Sequence, residues 1–329
     1  MELVDQPEPA LVDDADVVFR VGAVGICGSD VHYYRTGRIG SQVVDFPIPI
    51  GHECSGTVVE VGKAVASLRP GDRIALDPAL SCGTCDQCKK GRRHTCRHLL
   101  FMGCPGQLDG CLSEYCVLPE MCCFKMRPDT SLELAALVEP LSIGCYALRL
   151  AQLVPGMKIG ILGAGPVGLS VMMAARAQGF DQVYMVEPLA YRRELALAHG
   201  ARSGCAPDAV EQAEAFEREL DAVFDCCGEQ NALELACRLL TPGGKLVIVG
   251  IPGAEQVYFN PHLLRRREIA IQNVRRQNNC MREAIDIVEN SAFDLRFMLT
   301  HHFELADTQA AFELVDQYQD GVVKAIIFP

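Results

Sequence analysis

The chain has 329 residues, a formal net charge of −12, 49% hydrophobic residues, seventeen cysteines and no tryptophan. That length predicts about two domains with a large core. The acidic balance excludes nonspecific binding to nucleic acid or anionic membranes, and no apolar run approaches the ~20 residues of a membrane span. Seventeen cysteines and no secretory h-region at the N-terminus predict a reducing, cytoplasmic setting. There is no low-complexity segment and no internal repeat.

Up to about residue 138 the chain is rich in Gly, Pro and short β-type runs such as C-S-G-T-V-V-E-V-G. This predicts a small β-barrel with long loops. Its first loop candidate, G-I-C-G-S-D-V-H-Y-Y, holds Cys27, Ser29, Asp30 and His32; the next, F-P-I-P-I-G-H-E-C-S-G, holds His52 and Glu53. Glu139 follows in V-E-P-L-S. A thiolate, an imidazole and one or two carboxylates make a mixed metal site that keeps a place for water or substrate. Taken singly, the same residues also read as a core cysteine, a turn histidine and a helix-start acid. Spacing alone leaves both readings open.

Between these segments lie Cys82, Cys85, Cys88 and Cys96, spaced C-x₂-C-x₂-C and then seven residues. Four thiolates at this spacing converge on one tetrahedral ion, and an all-sulfur set with no open position predicts a structural zinc. Adjacent C-x₂-C thiols make poor disulfide partners. An iron–sulfur motif of this type ends on a three-residue gap followed by Pro, whereas here the gap is seven and Arg97 follows.

From 139 to 273, strand-like runs alternate with helical patterns: I-G-I-L-G, Q-V-Y-M-V, A-V-F-D-C-C, K-L-V-I-V-G and I-A-I-Q-N. The alternation predicts an α/β fold with a doubly wound parallel sheet. The first run opens into glycines Gly163, Gly165 and Gly168, with Val167 between them, and the second ends at Glu187. Such a turn lets a dinucleotide's pyrophosphate approach the backbone at a helix N-terminus. An acid roughly 20 residues later accepts from the ribose hydroxyls of NAD. The tail carries M-R-E-A-I-D-I-V, Q-A-A-F-E-L-V and K-A-I-I-F-P. The remaining twelve cysteines, Cys226 and Cys227 among them, read as small buried apolar residues.

Together these runs resemble the zinc-dependent medium-chain dehydrogenases, and within them the sorbitol (L-iditol 2-) dehydrogenase branch. The resemblance is also carried by G-R-I-G, P-G-D-R-I-A-L-D-P and V-E-P-L-S-I-G, in family order. Alcohol dehydrogenases of the family place a zinc-binding Cys where this chain has Glu139, and polyol dehydrogenases place Glu. The resemblance implies a GroES-like β-barrel catalytic domain at 1–138, an NAD-binding Rossmann domain at 139–273, and a return to the first domain at 274–329. It implies two zinc ions per chain and NAD. Cys27 and His52 are then ligands of the catalytic zinc, Glu53 is a third, and Glu139 binds directly or holds the zinc's water. Asp30 supports His52, Ser29 receives the substrate proton, and His32 relays it or lines the site. The glycine turn and Val167 bind the cofactor, with Arg192 pairing with its ribose or with Glu187. Tyr33, Phe101 and Arg275 face the substrate.

The implied reaction is oxidation of a secondary alcohol of a small polyol to a ketose by a homo-oligomer, a tetramer or dimer. Where the branch has an Arg–Tyr pair, this chain has Arg275–Arg276. Arg276 therefore either points to solvent or a neighbouring subunit, or selects an anionic substrate. Relative to the family pattern the chain starts about a hairpin short. L-threonine 3-dehydrogenase-like and sugar-acid or sugar-phosphate dehydrogenase activities are the alternatives. From other classes come a non-catalytic NAD- and zinc-binding protein and a nucleic-acid module built on K-K-G-R-R. The acidic chain opposes the last of these.

Overall fold

The computed structural model describes residues 1–212, 219–290 and 292–329. They form two units, Met1–Glu139 with Met281–Pro329, and Pro140–Cys280. The sequence pattern places the boundaries at 138 and 273. Residues 274–280 stay with the second unit because Val274 N–H donates to Ile248 O at 2.8 Å and Arg149 to Asn278 O at 2.9 Å.

The first unit is built round the strand Asp16–Gly25, which pairs antiparallel with Glu53–Val61, Tyr115–Pro119 and Lys324–Phe328. Arg73–Leu76 and Cys123–Lys125 extend the sheet on one side and Leu299–Glu304 on the other, making seven strands. Asp16–Gly25 is buried almost along its whole length, as expected of a central strand covered on both faces. Its core is apolar and rich in sulfur: Phe19, Ile74 and Leu76 pack with Cys54, Cys111, Cys116, Cys122 and Cys123. Free cysteine fills small core spaces here as a compact hydrophobe. All seventeen cysteines are free. The reading of the remaining twelve as buried needs correction at three of them. Cys227 is exposed, and Cys205 and Cys226 are half-buried. Cys227 follows the strand Leu220–Asp225 at a turn, with its Sγ 3.1 Å from Asp225 Oδ1.

The second unit is a six-stranded parallel sheet. Its order is Ser203–Cys205, Val183–Val186, Ile159–Leu162, Leu220–Asp225, Leu240–Ile248 and Ala270–Asn273. Numbered within the unit this is 3-2-1-4-5-6, the doubly wound order. It places a ligand crevice where the order reverses, beside Ile159–Leu162.

The helical stretch Leu132–Ala151 is long and apolar enough, by length and composition, to cross a membrane, but 78% of its most apolar window is buried inside the protein. It is a core helix, interrupted at Leu137 and continuing as Val138–Ala151. Glu139 and Pro140 sit in the first turn of the second part, where a proline removes no needed donor.

Candidate active site

The loop Cys82–Cys96 gathers its four sulfurs closely. Sγ–Sγ distances are 3.4 Å for Cys82–Cys96, 3.5 Å for Cys85–Cys88, 3.8 Å for Cys85–Cys96 and 4.0 Å for Cys82–Cys88. A tetrahedral zinc with Zn–S bonds of about 2.3 Å requires sulfur–sulfur edges of about 3.8 Å, so the set fits the ion. Backbone amides support thiolates: Cys82 N–H and His98 N–H both donate to Cys96 Sγ at 3.3 Å. Hydrogen bonds from the backbone and hydroxyl of Thr84 pull Cys82 down to about 5. Burial, helped by the neighbouring sulfurs, pushes Cys88 up to about 11. Four thiols this close cannot all ionise without a compensating cation, and a dication resolves the conflict. The loop is closed from outside by a two-pronged pair, Arg97 Nε to Asp86 Oδ1 at 2.5 Å and Nη2 to Oδ2 at 3.1 Å.

The second cluster is assembled by the end of the central strand and the loop before its neighbour. Cys27 is the N-cap of the helix Gly28–Thr36, and His52 and Glu53 lead into the strand Glu53–Val61. One ligand atom each from Cys27, His52 and Glu53 lie within 4.8 Å of one another. Asp30, 1% exposed, braces two of them. Its Oδ1 lies 3.2 Å from His52 Nδ1, and its Oδ2 accepts Cys27 N–H at 3.1 Å. An imidazole engaged through Nδ1 offers Nε2 to a metal. Burial by itself would lower His52, but the charges and hydrogen bonds of Asp30 and Cys27 carry it well above its usual value. Two soft-to-borderline donors and a carboxylate, with no fourth donor in the set, match an open zinc site.

Glu139 stands outside that set, buried nearby in the first turn of Val138–Ala151. Burial pushes its carboxyl up to about 8; His52 opposes the shift and Glu53 adds to it. Ser29 and His32 are half-buried, three residues apart on the helix Gly28–Thr36, and so share a face. Tyr33 is buried on the same helix, its hydroxyl 3.4 Å from Gln42 Oε1 and 3.7 Å from Cys104 Sγ. The ring of Phe101 stands 5.2 Å from that of His52.

Sequence reasoning missed Lys324. It is 1% exposed and places Nζ 2.5 Å from Glu53 Oε2 and 2.9 Å from Ile26 O. The signal was present as a lone cation in the apolar run V-V-K-A-I-I-F, since a charge buried in a central strand requires a partner.

The dinucleotide fingerprint lies in the second unit. Gly163 takes a left-handed φ of 96°, which favours glycine, and a side chain on Gly168 would run into the Gly163 carbonyl. Gly165 is the N-cap and Val167 lies in the first turn of the helix Pro166–Ala177. Glu187 is 4% exposed; its Oε2 accepts Ala164 N–H at 2.7 Å and its Oε1 accepts Leu189 N–H at 2.9 Å. Buried Arg192 reaches the same turn, since a Cβ on Gly165 would lie 3.5 Å from its Nη1. An acid tied to the glycine turn, at the N-terminus of a helix, suits a ribose and its pyrophosphate. A cavity of about 230 Å³ opens beyond the carboxyl ends of neighbouring strands, lined by Asp225, Gly228, Ile248, Gly250, Ile251 and Val274. Arg275 and Arg276 follow the last strand of this unit. Arg275 is exposed; Arg276 is half-buried at a left-handed φ of 54°.

Residues 13–128 match the alcohol dehydrogenase GroES-like domain, and residues 166–290 match the zinc-binding dehydrogenase family. Sorbitol dehydrogenase of Bacillus subtilis (strain 168) is 35% identical over 98% of this chain and 92% of its own length. L-idonate 5-dehydrogenase of Vitis vinifera is 36% identical over 91% of this chain and 84% of its own. A crystal structure of an Escherichia coli oxidoreductase/dehydrogenase of unknown specificity superposes with a TM-score of 0.90 at 33% identity, covering 99% of this chain and 94% of that one. With two zinc-fitting donor sets, a dinucleotide turn and these matches, the chain belongs to the zinc-dependent medium-chain dehydrogenase family, in its sorbitol dehydrogenase branch, and is an oxidoreductase whose cofactors are zinc and a nicotinamide dinucleotide.

Proposed function

We propose that the protein oxidises a secondary hydroxyl of a sugar alcohol to a ketose, passing hydride to NAD⁺. The observation that carries this reading is the open donor set of Cys27, His52 and Glu53 with the buried carboxyl of Glu139 beside it. Zinc held there supplies Lewis acidity toward the alcohol oxygen. The chain does the rest. Asp30 fixes the ring of His52, Ser29 takes the hydroxyl proton, and His32 hands it outward. Tyr33 and Phe101 bound the substrate side. Glu187 accepts from the cofactor ribose, and its charge opposes a 2′-phosphate there.

The curated relatives act on a polyol and on a sugar acid, by name. That second name, with the half-buried Arg276, favours an anionic sugar as the second reading. An NAD-reduction assay over polyols, L-threonine, sugar acids and sugar phosphates separates the readings. Turnover on plain polyols supports the first, and turnover only on the acids or phosphates supports the second. Activity on none of them, with both metal sites filled, overturns both. We also propose a homo-oligomer in a reducing, cytosolic compartment, from the exposed edge strand Ala270–Asn273 and the seventeen free thiols.

A further inference from the structure

We infer that Lys324 is a positioning residue of the open metal site, whose ammonium competes with the metal for Glu53 and so limits how tightly that metal is held. The inference rests on the reading that Cys27, His52 and Glu53 hold zinc.

Lys324 begins the strand Lys324–Phe328, and the three residues after it are completely buried. It is 1% exposed and Glu53 2%. In sequence they are far apart, and the sheet brings them together across Gly25. Gly25 pairs with Glu53 on one side and with Ile326 on the other. A Cβ on Gly25 would lie 2.5 Å from Glu53 Oε2 and 3.3 Å from Lys324 Cδ. The missing side chain is therefore what lets the pair form. Glu53 Oε2 is engaged by Lys324, and a carboxylate has a second oxygen to offer a metal. The fields of Cys27 and Glu139 also reach Lys324, so its cation lies among the anionic groups of the site.

Two charges so buried are costly unless each is compensated. Without metal, Lys324 is the compensation for Glu53. With metal, Glu53 has two cationic partners. Removing the ammonium then leaves an uncompensated carboxylate only in the metal-free protein. Loss of stability falls mainly on that form, and by linkage the metal binds more tightly. A lysine that merely packed the strand would weaken both forms alike and leave metal affinity unchanged.

The test uses the full-length protein with Lys324→Met, Lys324→Gln and Lys324→Arg. Zinc transfer to a chromogenic chelator is followed in two phases, one for the open site and one for the closed four-cysteine site. Thermal unfolding is recorded before and after chelator treatment. Lys324→Met and Lys324→Gln should tighten open-site zinc by roughly ten- to a hundredfold, the scale of one charge-assisted hydrogen bond. The closed-site phase should not move. The unfolding temperature should fall more for the stripped protein than for the loaded one, and Lys324→Arg should restore the wild-type affinity. In a Glu53→Gln background, Lys324→Met should lose most of its effect on zinc. Unchanged or weaker open-site zinc in both neutral variants, or the same effect in the Glu53→Gln background, would overturn the inference. Wild-type protein that yields only the closed-site phase would refute the underlying site reading, and the inference with it.

Discussion

Asp30 is the single residue on which the open site's geometry depends most. One oxygen holds the ring of His52 and the other the backbone of Cys27. Supports of this kind change metal affinity by roughly 10–100-fold when removed. Asp30→Ala should therefore lose open-site zinc on dialysis at that scale while the four-cysteine site stays loaded, as elemental analysis would show. Glu187 makes a second residue-level prediction. One of its oxygens accepts from Ala164 N–H and the other from Leu189 N–H, so the carboxylate is preset for the ribose. The wild type should prefer NAD⁺, and Glu187→Ser should shift the kcat/KM ratio toward NADP⁺. The same change removes one buried and one partly buried hydrogen bond and should cost about 1–3 kcal/mol of stability in urea unfolding. Equal kcat/KM for the two cofactors in the wild type would contradict the role given to Glu187.

At the scale of elements, the helix Val138–Ala151 carries Glu139 at one end and is capped at the other by a distant lysine. Lys245 Nζ donates to Leu150 O at 3.2 Å, Ala151 O at 2.9 Å and Gln152 Oε1 at 3.2 Å. A cation on the last carbonyls also complements the helix dipole. Lys245→Met should cost about 1 kcal/mol, read from the urea midpoint. In the barrel, Asp72, just before the strand Arg73–Leu76, pairs with Lys125 Nζ of the strand Cys123–Lys125 at 2.8 Å. Burial pushes its carboxyl up, but the hydrogen bonds from Lys125 and the Arg69 backbone outweigh it and hold the group below its usual value. A depressed folded-state value stabilises above the unfolded-state value of about 3.9 and is lost as pH falls through the folded one. Asp72→Asn should thus lower stability at neutral pH and show a shallower loss below about pH 4.

For the whole molecule, metal content and mass are the checks. Purified protein should carry close to two zinc ions, and Cys88→Ala should lower stability before activity because metal binding at a closed site is coupled to folding. Light scattering should report a multiple of the 35.9 kDa chain. The edge strand Ala270–Asn273 leaves its backbone row and Ile271 exposed, a template for pairing with a second copy. A monomer at micromolar concentration would remove that proposal.

Local chemistry determined what was legible in the sequence by itself. The four cysteines, the glycine turn with its acid, and the alternation of strands and helices are short-range patterns, and each implies its structure through spacing alone. They yielded the α/β fold, the parallel sheet and the two kinds of metal-binding segment. Cys27, His52, Glu53 and Glu139 were legible as candidate donors by residue type, but only the resemblance favoured the metal reading, because no spacing rule links residues on separate loops. Tertiary structure alone decided the remainder. It left Cys227 exposed at a turn and buried most of the apolar stretch Leu132–Ala151 in the core. Lys324 shows the reason most plainly. Its partner Glu53 lies on a strand two places away in the sheet, with Gly25 between them, and only the folded register makes that pair. A side chain's burial and charge balance are set by neighbours that folding supplies from far along the chain, and no local pattern contains them.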